Sequence, residues 1–192
     1  MNEKRLAVVF PGIGYHKDKP LLYYATKLVQ SMGFEVIHIE YHDMPQKIRG
    51  DAAMMKKAAE LAYEQAEKQL ETVDFSDCEE VLFVGKSIGT VVMAKYASEH
   101  KTAARQVWYT PVEATFSFAA DKVTAFIGDA DPWSDVDAVK EKAKNLGIDL
   151  FSYPGCNHSL ETGDVKRDTE IIHEVMSLTQ DFVAEAARRG RT

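Results

Sequence analysis

Only two cysteines, Cys78 and Cys156, occur in 192 residues, too few for a disulfide framework. No apolar run approaches the length that spans a bilayer. After Met1-Asn2-Glu3-Lys4-Arg5, the apolar run Leu6–Phe10 stops at Pro11 and Gly12, too soon for a signal-peptide core. Positive charge is in deficit. The 23 Lys and Arg against 30 Asp and Glu leave a net charge of −7, which disfavours nucleic acid or an anionic membrane as a partner. The one His-x-x-x-His pair, His38 and His42, spans a strand end and does not read as a metal site, nor does any Cys/His spacing, so neither metal nor cofactor is expected. Repeats, low-complexity tracts and linker-like segments are also missing. What remains is an ordinary 45% apolar content in a chain long enough for one substantial core. A cytoplasmic protein with a single domain over residues 1–192 is the expectation. No exposed apolar stripe speaks for an oligomeric state.

The apolar runs set the element order. Leu6–Phe10 reads as a strand buried on both faces. Pro20 opens a helix that Gly33 ends, and Phe34–Ile39 is the next strand. Residues 51–72 carry a helical stripe of Met54, Ala58, Leu61, Ala62, Ala66 and Leu70. Glu80–Val84 is a third strand and Ile88–His100 a helix. Strands follow at Gln106–Tyr109, Lys122–Ile127 and Ile148–Tyr153. Ser134 is placed to cap a helix that Gly147 stops. The last helix runs over about 169–188, with Ile172, Val175, Thr179, Phe182 and Ala186 inward and Arg188 and Arg189 near its C-terminus. Alternating strands and helices predict a three-layer α/β/α sandwich around a parallel sheet. The stretch between Thr110 and Asp121 is too short for a full helix with its loops.

The most specific feature is Gly85-Lys86-Ser87-Ile88-Gly89, a G-x-S-x-G pattern between the third strand and a helix. A serine hydroxyl is a weak nucleophile and needs a base to take its proton and a third group to orient that base. His158, in Gly155-Cys156-Asn157-His158-Ser159, is the candidate base. Asp131, in Gly128-Asp129-Ala130-Asp131-Pro132, is the candidate acid. Asp129 stands as its substitute, and the same stretch also fits a turn with an Asx cap. All three loops follow strand ends that share one edge of a parallel sheet. Ile88 N–H at the helix start and Ile13 N–H, between Gly12 and Gly14, are the candidate oxyanion donors.

Gly12, His16, Lys86 and Trp133 are candidate substrate-binding residues. Lys86 beside the serine and Lys17 near the glycine loop are compatible with an anionic substrate. His42 follows a strand end and is a weaker cleft candidate. His38 and His173 read as structural or solvated, and Cys156 as a packing residue. A P-loop is excluded because its first glycine would fall on Glu80.

The elbow Gly85-Lys86-Ser87-Ile88-Gly89, the acid loop and Asn157-His158-Ser159-Leu160-Glu161 resemble those of the α/β-hydrolase superfamily, and within it small lidless members akin to dienelactone hydrolases and carboxylesterases. The resemblance spans nearly the whole chain. It implies a sheet of order 2-1-3-4-5-6, without the family's two opening antiparallel strands and without a lid, hence an open active site. Pro11 stands where the family's oxyanion loop has histidine. The implied function is a serine hydrolase that cleaves a small ester or thioester through an acyl-enzyme. A hydrolase-fold protein that binds a small molecule or partner without turnover is the alternative, as is a peptidase or acyltransferase using the same three residues.

Overall fold

The computed structural model describes residues 4–118, 120 and 122–189, the last four of these by backbone alone. The strands are β1 (Arg5–Phe10), β2 (Glu35–His38), β3 (Glu80–Lys86), β4 (Arg105–Tyr109), β5 (Val123–Gly128) and β6 (Asp149–Tyr153). The helices are α1 (Pro20–Ser31), α2 (Ala52–Leu70), α3 (Ile88–Glu99), α4 (Val136–Asn145) and α5 (Val165–Arg189). All strand pairs are parallel, in the order β2-β1-β3-β4-β5-β6.

Strands covered on both faces must be apolar on both sides, which is why β1 and β3 read as unbroken apolar runs. In β1, Val8 and Phe10 join the core shared with Ala62, Val92 and Val139 of α2, α3 and α4. Ala7 and Val9 join the opposite core, with Leu21, Ala25 and Val175 of α1 and α5. Each fully buried side chain of this size is worth about 1.5–3 kcal/mol. Helix α3 is buried on nearly every side, from Ile88 to Ala97, as befits a helix apolar all round. Among the described residues no helix is long and apolar enough to cross a membrane.

Several elements depart from the sequence expectations. Asp135, not Ser134, caps α4, accepting from the Ala138 amide at 3.0 Å. Ser134 instead donates to the Pro111 carbonyl at 3.3 Å. Helix α5 begins at Val165, because Asp164 accepts from the Lys166 and Arg167 amides at 2.9 and 3.3 Å. Its buried stripe is Ile171, Val175, Thr179 and Val183, so Ile172 and Phe182 stand beside it and not in it. The side chains of Ala186, Arg188 and Arg189, like Met1–Glu3 and Asp121, lie outside the described residues. The 110–121 connection holds a 3₁₀ segment, Glu113–Ser117, and among its described residues no lid is evident.

The register aligns Phe10 with Gly85, Lys86 with Tyr109 and Gly128 with Tyr153. The chain turns that follow β1, β3, β5 and β6 therefore open on one edge. The connections reverse direction between β1 and β3, the place where α/β sheets leave a crevice.

Candidate active site

Ser87 occupies the single residue between β3 and α3, with φ 56° and ψ −123°. Such a backbone is costly for an L-residue, by roughly 1–3 kcal/mol, and is held by its surroundings. The Ser87 amide donates to the Tyr109 carbonyl at 3.0 Å. Its carbonyl accepts from the Thr90 amide at 2.8 Å and the Thr90 hydroxyl at 2.6 Å. The Thr90 and Thr115 hydroxyls are 2.7 Å apart, which ties the 3₁₀ segment to the elbow. Gly89 is required here, because a Cβ would overlap the Phe10 and Pro11 carbonyl oxygens.

His158 Nε2 lies 2.7 Å from Ser87 Oγ, and His158 Nδ1 lies 2.6 Å from Asp131 Oδ2. A carboxylate only accepts, so Nδ1 carries the proton and Nε2 is free to accept from the hydroxyl. The second oxygen of Asp131 accepts from the Trp133 amide at 2.9 Å. The Asp131 side chain is fully buried and that of His158 15% exposed. The Trp133 ring stacks on the imidazole at 5.5 Å between centroids and 26° between planes.

Asp129 does different work. It accepts from the Gly155 amide at 2.6 Å and so binds the acid loop to the histidine loop. The two loops also meet at Gly128, where any Cβ would collide with the Cys156 carbonyl. Asn157 closes the histidine loop, accepting from the Ser159 amide at 2.7 Å while its own amide donates to the Glu161 carbonyl at 2.9 Å.

The Ile88 amide is the first of α3 and has no acceptor within the helix. The loop after β1 reaches the same spot. Gly12 lies against Ser87 Cβ, and the Gly12 and Tyr15 amides donate to each other's carbonyls at 3.1 and 3.2 Å. Between them, Ile13 N–H donates to no carbonyl among the described residues. The Ile88 amide thus stands next to the serine, at a helix N-terminus that favours negative charge, and the loop that carries Ile13 lies against it.

Lys86 is 1% exposed, with Nζ 4.8 Å from the centroid of the Tyr15 ring. Burial pushes its ammonium down to about 7, against the attraction of Asp131 and Glu161. Burial first, then repulsion from Lys86, pushes His158 down to about 4, although Asp131 pulls the other way. The imidazole is therefore neutral at physiological pH, the state a general base requires. Burial also raises the Tyr15 phenol to about 12, so it stays a neutral donor and acceptor. Its oxygen accepts from the Leu21 amide at 3.1 Å.

Ser87 and His158 open onto a cleft of about 1040 Å³, lined also by Ile13, Lys86, Ile88 and Trp133. The other candidates fall elsewhere. His16 is exposed, its Nδ1 accepting from the Asp18 amide at 3.3 Å, because the Gly12–Tyr15 turn carries it outward. Gly12 is buried behind the serine and is not part of the cleft wall. Lys17 is held by Glu40 at 2.6 Å, and the His42 backbone is held by Gln65 at 2.8 and 2.9 Å. Cys156 is buried in the histidine loop. Among the described residues no group of His, Cys, Asp and Glu is arranged to hold a metal ion.

The sequence reading missed one whole wall. Ile48, Met55 and Ala59, from the segment after β2 and the start of α2, face the cleft. Methionines at 44, 54 and 55 were the available signal, since methionine fills adaptable apolar surfaces.

No family model and no curated protein matches the chain. Solved structures do. The esterase Pf2001 of Pyrococcus furiosus is 13% identical at a TM-score of 0.70, over 95% of this chain and 83% of that one. An α/β serine hydrolase homologue from Coxiella burnetii is 17% identical at 0.66, over 91% and 85%. Est1E of Butyrivibrio proteoclasticus, with ferulic acid bound, is 11% identical at 0.65, over 96% and 91%. The likeness is one of fold, and the fold is that of the α/β hydrolases.

Proposed function

From the α/β-hydrolase fold as premise, we propose that this protein is a serine hydrolase that cleaves small carboxylic esters or thioesters through an acyl-enzyme on Ser87. The observation that carries this is the unbroken hydrogen-bond chain Asp131–His158–Ser87, at 2.6 and 2.7 Å, ending on a strained serine at a helix N-terminus. The esterases among the fold neighbours are in keeping with it.

Ser87 Oγ attacks the substrate carbonyl carbon while its proton passes to His158 Nε2. The carbonyl electron pair moves onto oxygen, between the Ile13 and Ile88 amides. Asp131 holds the tautomer and stabilises the imidazolium. The intermediate collapses, the carbon–leaving-group bond breaks, and the leaving atom takes the proton from His158. Water, activated by the same imidazole, then attacks the acyl carbonyl and releases the acid and the free serine.

Fluorophosphonate labelling with peptide mapping tests this reading. The expected result is one adduct on Ser87 that is lost in His158→Ala. Absence of an adduct on the folded protein overturns it in favour of a binding protein without turnover.

A further inference from the structure

The cleft does not stop at the reacting atoms. It continues along α3, whose Ile88, Val91, Val92 and Lys95 follow one another at i, i+3, i+4 and i+7 and form its floor. Helix α2 supplies one wall through Met55, Ala59 and Tyr63, spaced four residues apart. Val112 and Phe118, at the two ends of the 3₁₀ segment, supply the other. The groove therefore starts at Ser87, which immediately precedes α3, and runs two helical turns away from it.

Its far end carries a charged cluster. Lys95 Nζ lies 3.7 Å from the centroid of the Tyr63 ring and 3.8 Å from Glu99. The Tyr63 hydroxyl donates to Glu99 at 2.6 Å, which fixes the ring. A desolvated methyl end gains nothing by pushing into this charged cluster. At 1.5 Å per residue, the floor from Ile88 to Lys95 is roughly 10 Å long. A staggered alkyl chain with bonds of about 1.5 Å advances roughly 1.3 Å per carbon, so about eight carbons fill the groove.

The direction of the groove decides which half of the substrate it takes. His158 must reach the leaving atom, so the leaving group lies on the side of His158 and its stacked Trp133. Trp133 packs in one apolar cluster with Ile88, Met55 and Ala59, so leaving group and groove meet at Ser87; the groove extends past that cluster to Lys95 and is assigned the longer apolar half of the substrate, the acyl chain.

We propose that this groove is an acyl-chain site that selects straight-chain acyl groups of about six to eight carbons, with the Tyr63–Lys95 pair as the stop. The selection rests on the serine-hydrolase reading above. Ala59, midway along the wall, is the position at which a larger side chain shortens the site. Tyr63 is the position at which a smaller one lengthens it.

The test is kcat/KM for p-nitrophenyl esters from acetate to dodecanoate, on the full chain and on Ala59→Phe and Tyr63→Ala, with octanoate binding followed by calorimetry on Ser87→Ala. The expected profile rises about two- to fourfold per added methylene up to six to eight carbons and then falls. Ala59→Phe moves the optimum to shorter chains and Tyr63→Ala to longer ones. An optimum at acetate, or a profile unmoved by Ala59→Phe, overturns the groove while Ser87 labelling still upholds the hydrolase. If no ester turns over and Ser87 is not labelled, the hydrolase reading fails. The groove then stands or falls on whether octanoate binds more tightly than acetate and loses that advantage when Ala59→Phe is added.

Discussion

The Asp129 carboxylate holds the Gly155 amide at 2.6 Å, while Asp131, two residues later, holds the imidazole of His158 at the same distance. One aspartate braces the loop and its neighbour holds the imidazole. Asp131→Asn is expected to leave the fold intact and to lower kcat by about 10⁴, because the amide no longer enforces the tautomer. Asp129→Asn is expected to cost less than about tenfold in rate, but 1–3 kcal/mol in stability through a weakened charge-assisted bond. Ester kinetics beside urea denaturation of both variants separates the two roles.

The pH profile should carry the mark of Lys86. With His158 held near 4, kcat/KM is expected to persist well below the usual histidine range and to fall only as pH drops through that value. Lys86→Met removes the ammonium that repels the imidazolium, so the acid limb should move upward. An acid limb that stays in place in Lys86→Met would refute the coupling.

Stability should respond to the same residue. Lys86 titrates near 7 in the folded protein against an ordinary 10.5, so the unfolded chain binds the extra proton between these values. Wild-type stability is therefore expected to rise with pH across pH 7 to 10.5. Lys86→Met should flatten that rise and gain up to about 4 kcal/mol at pH 7. Denaturation midpoints across that window measure both.

Ser87→Gly releases a strained backbone. It should unfold at a higher denaturant concentration, by about 1 kcal/mol after the extra chain entropy of glycine is subtracted, and show no labelling. A serine residue free of strain would give no gain.

Gly128→Ala drives a methyl group into the Cys156 carbonyl. The acid and histidine loops must part, with an expected loss of roughly 2–4 kcal/mol and of most Ser87 labelling. Unchanged labelling would mean that the loops tolerate separation.

Much of this architecture was legible in the sequence, for identifiable reasons. The four inner strands are buried on both faces and announce themselves as apolar runs, while the half-exposed edge strands β2 and β6 showed only as short apolar stretches after Gly33 and Gly147, and the order came by resemblance. The glycines beside Ser87 and Asp131 mark places where backbone approaches backbone, which is why the three loops stood out. What could not be read depends on packing across the chain. Nothing local to His16 says that the Gly12–Tyr15 turn carries it outward. The Ser134-for-Asp135 exchange is one residue of capping geometry, settled when Pro111 takes the serine hydroxyl. The wall built by Met55 and Ala59 needs α2 seated beside α3. The 3₁₀ segment depends on the Thr90–Thr115 contact, 25 residues apart in sequence.

The meeting of Gly128 with Cys156 has a mechanical consequence. Through it, and through Asp129 and Gly155, the loops that carry Asp131 and His158 are fastened to each other. Ser87 is clamped elsewhere, to β4 by Tyr109 and to the 3₁₀ segment by way of Thr90. The bond from Ser87 to His158 joins the two parts, beside those of Ser134 to Pro111 and Asp135 to Glu113. A slip of about an ångström at that bond would leave every element folded and the Ser87 hydroxyl without its imidazole partner, as a clutch is disengaged with no part broken.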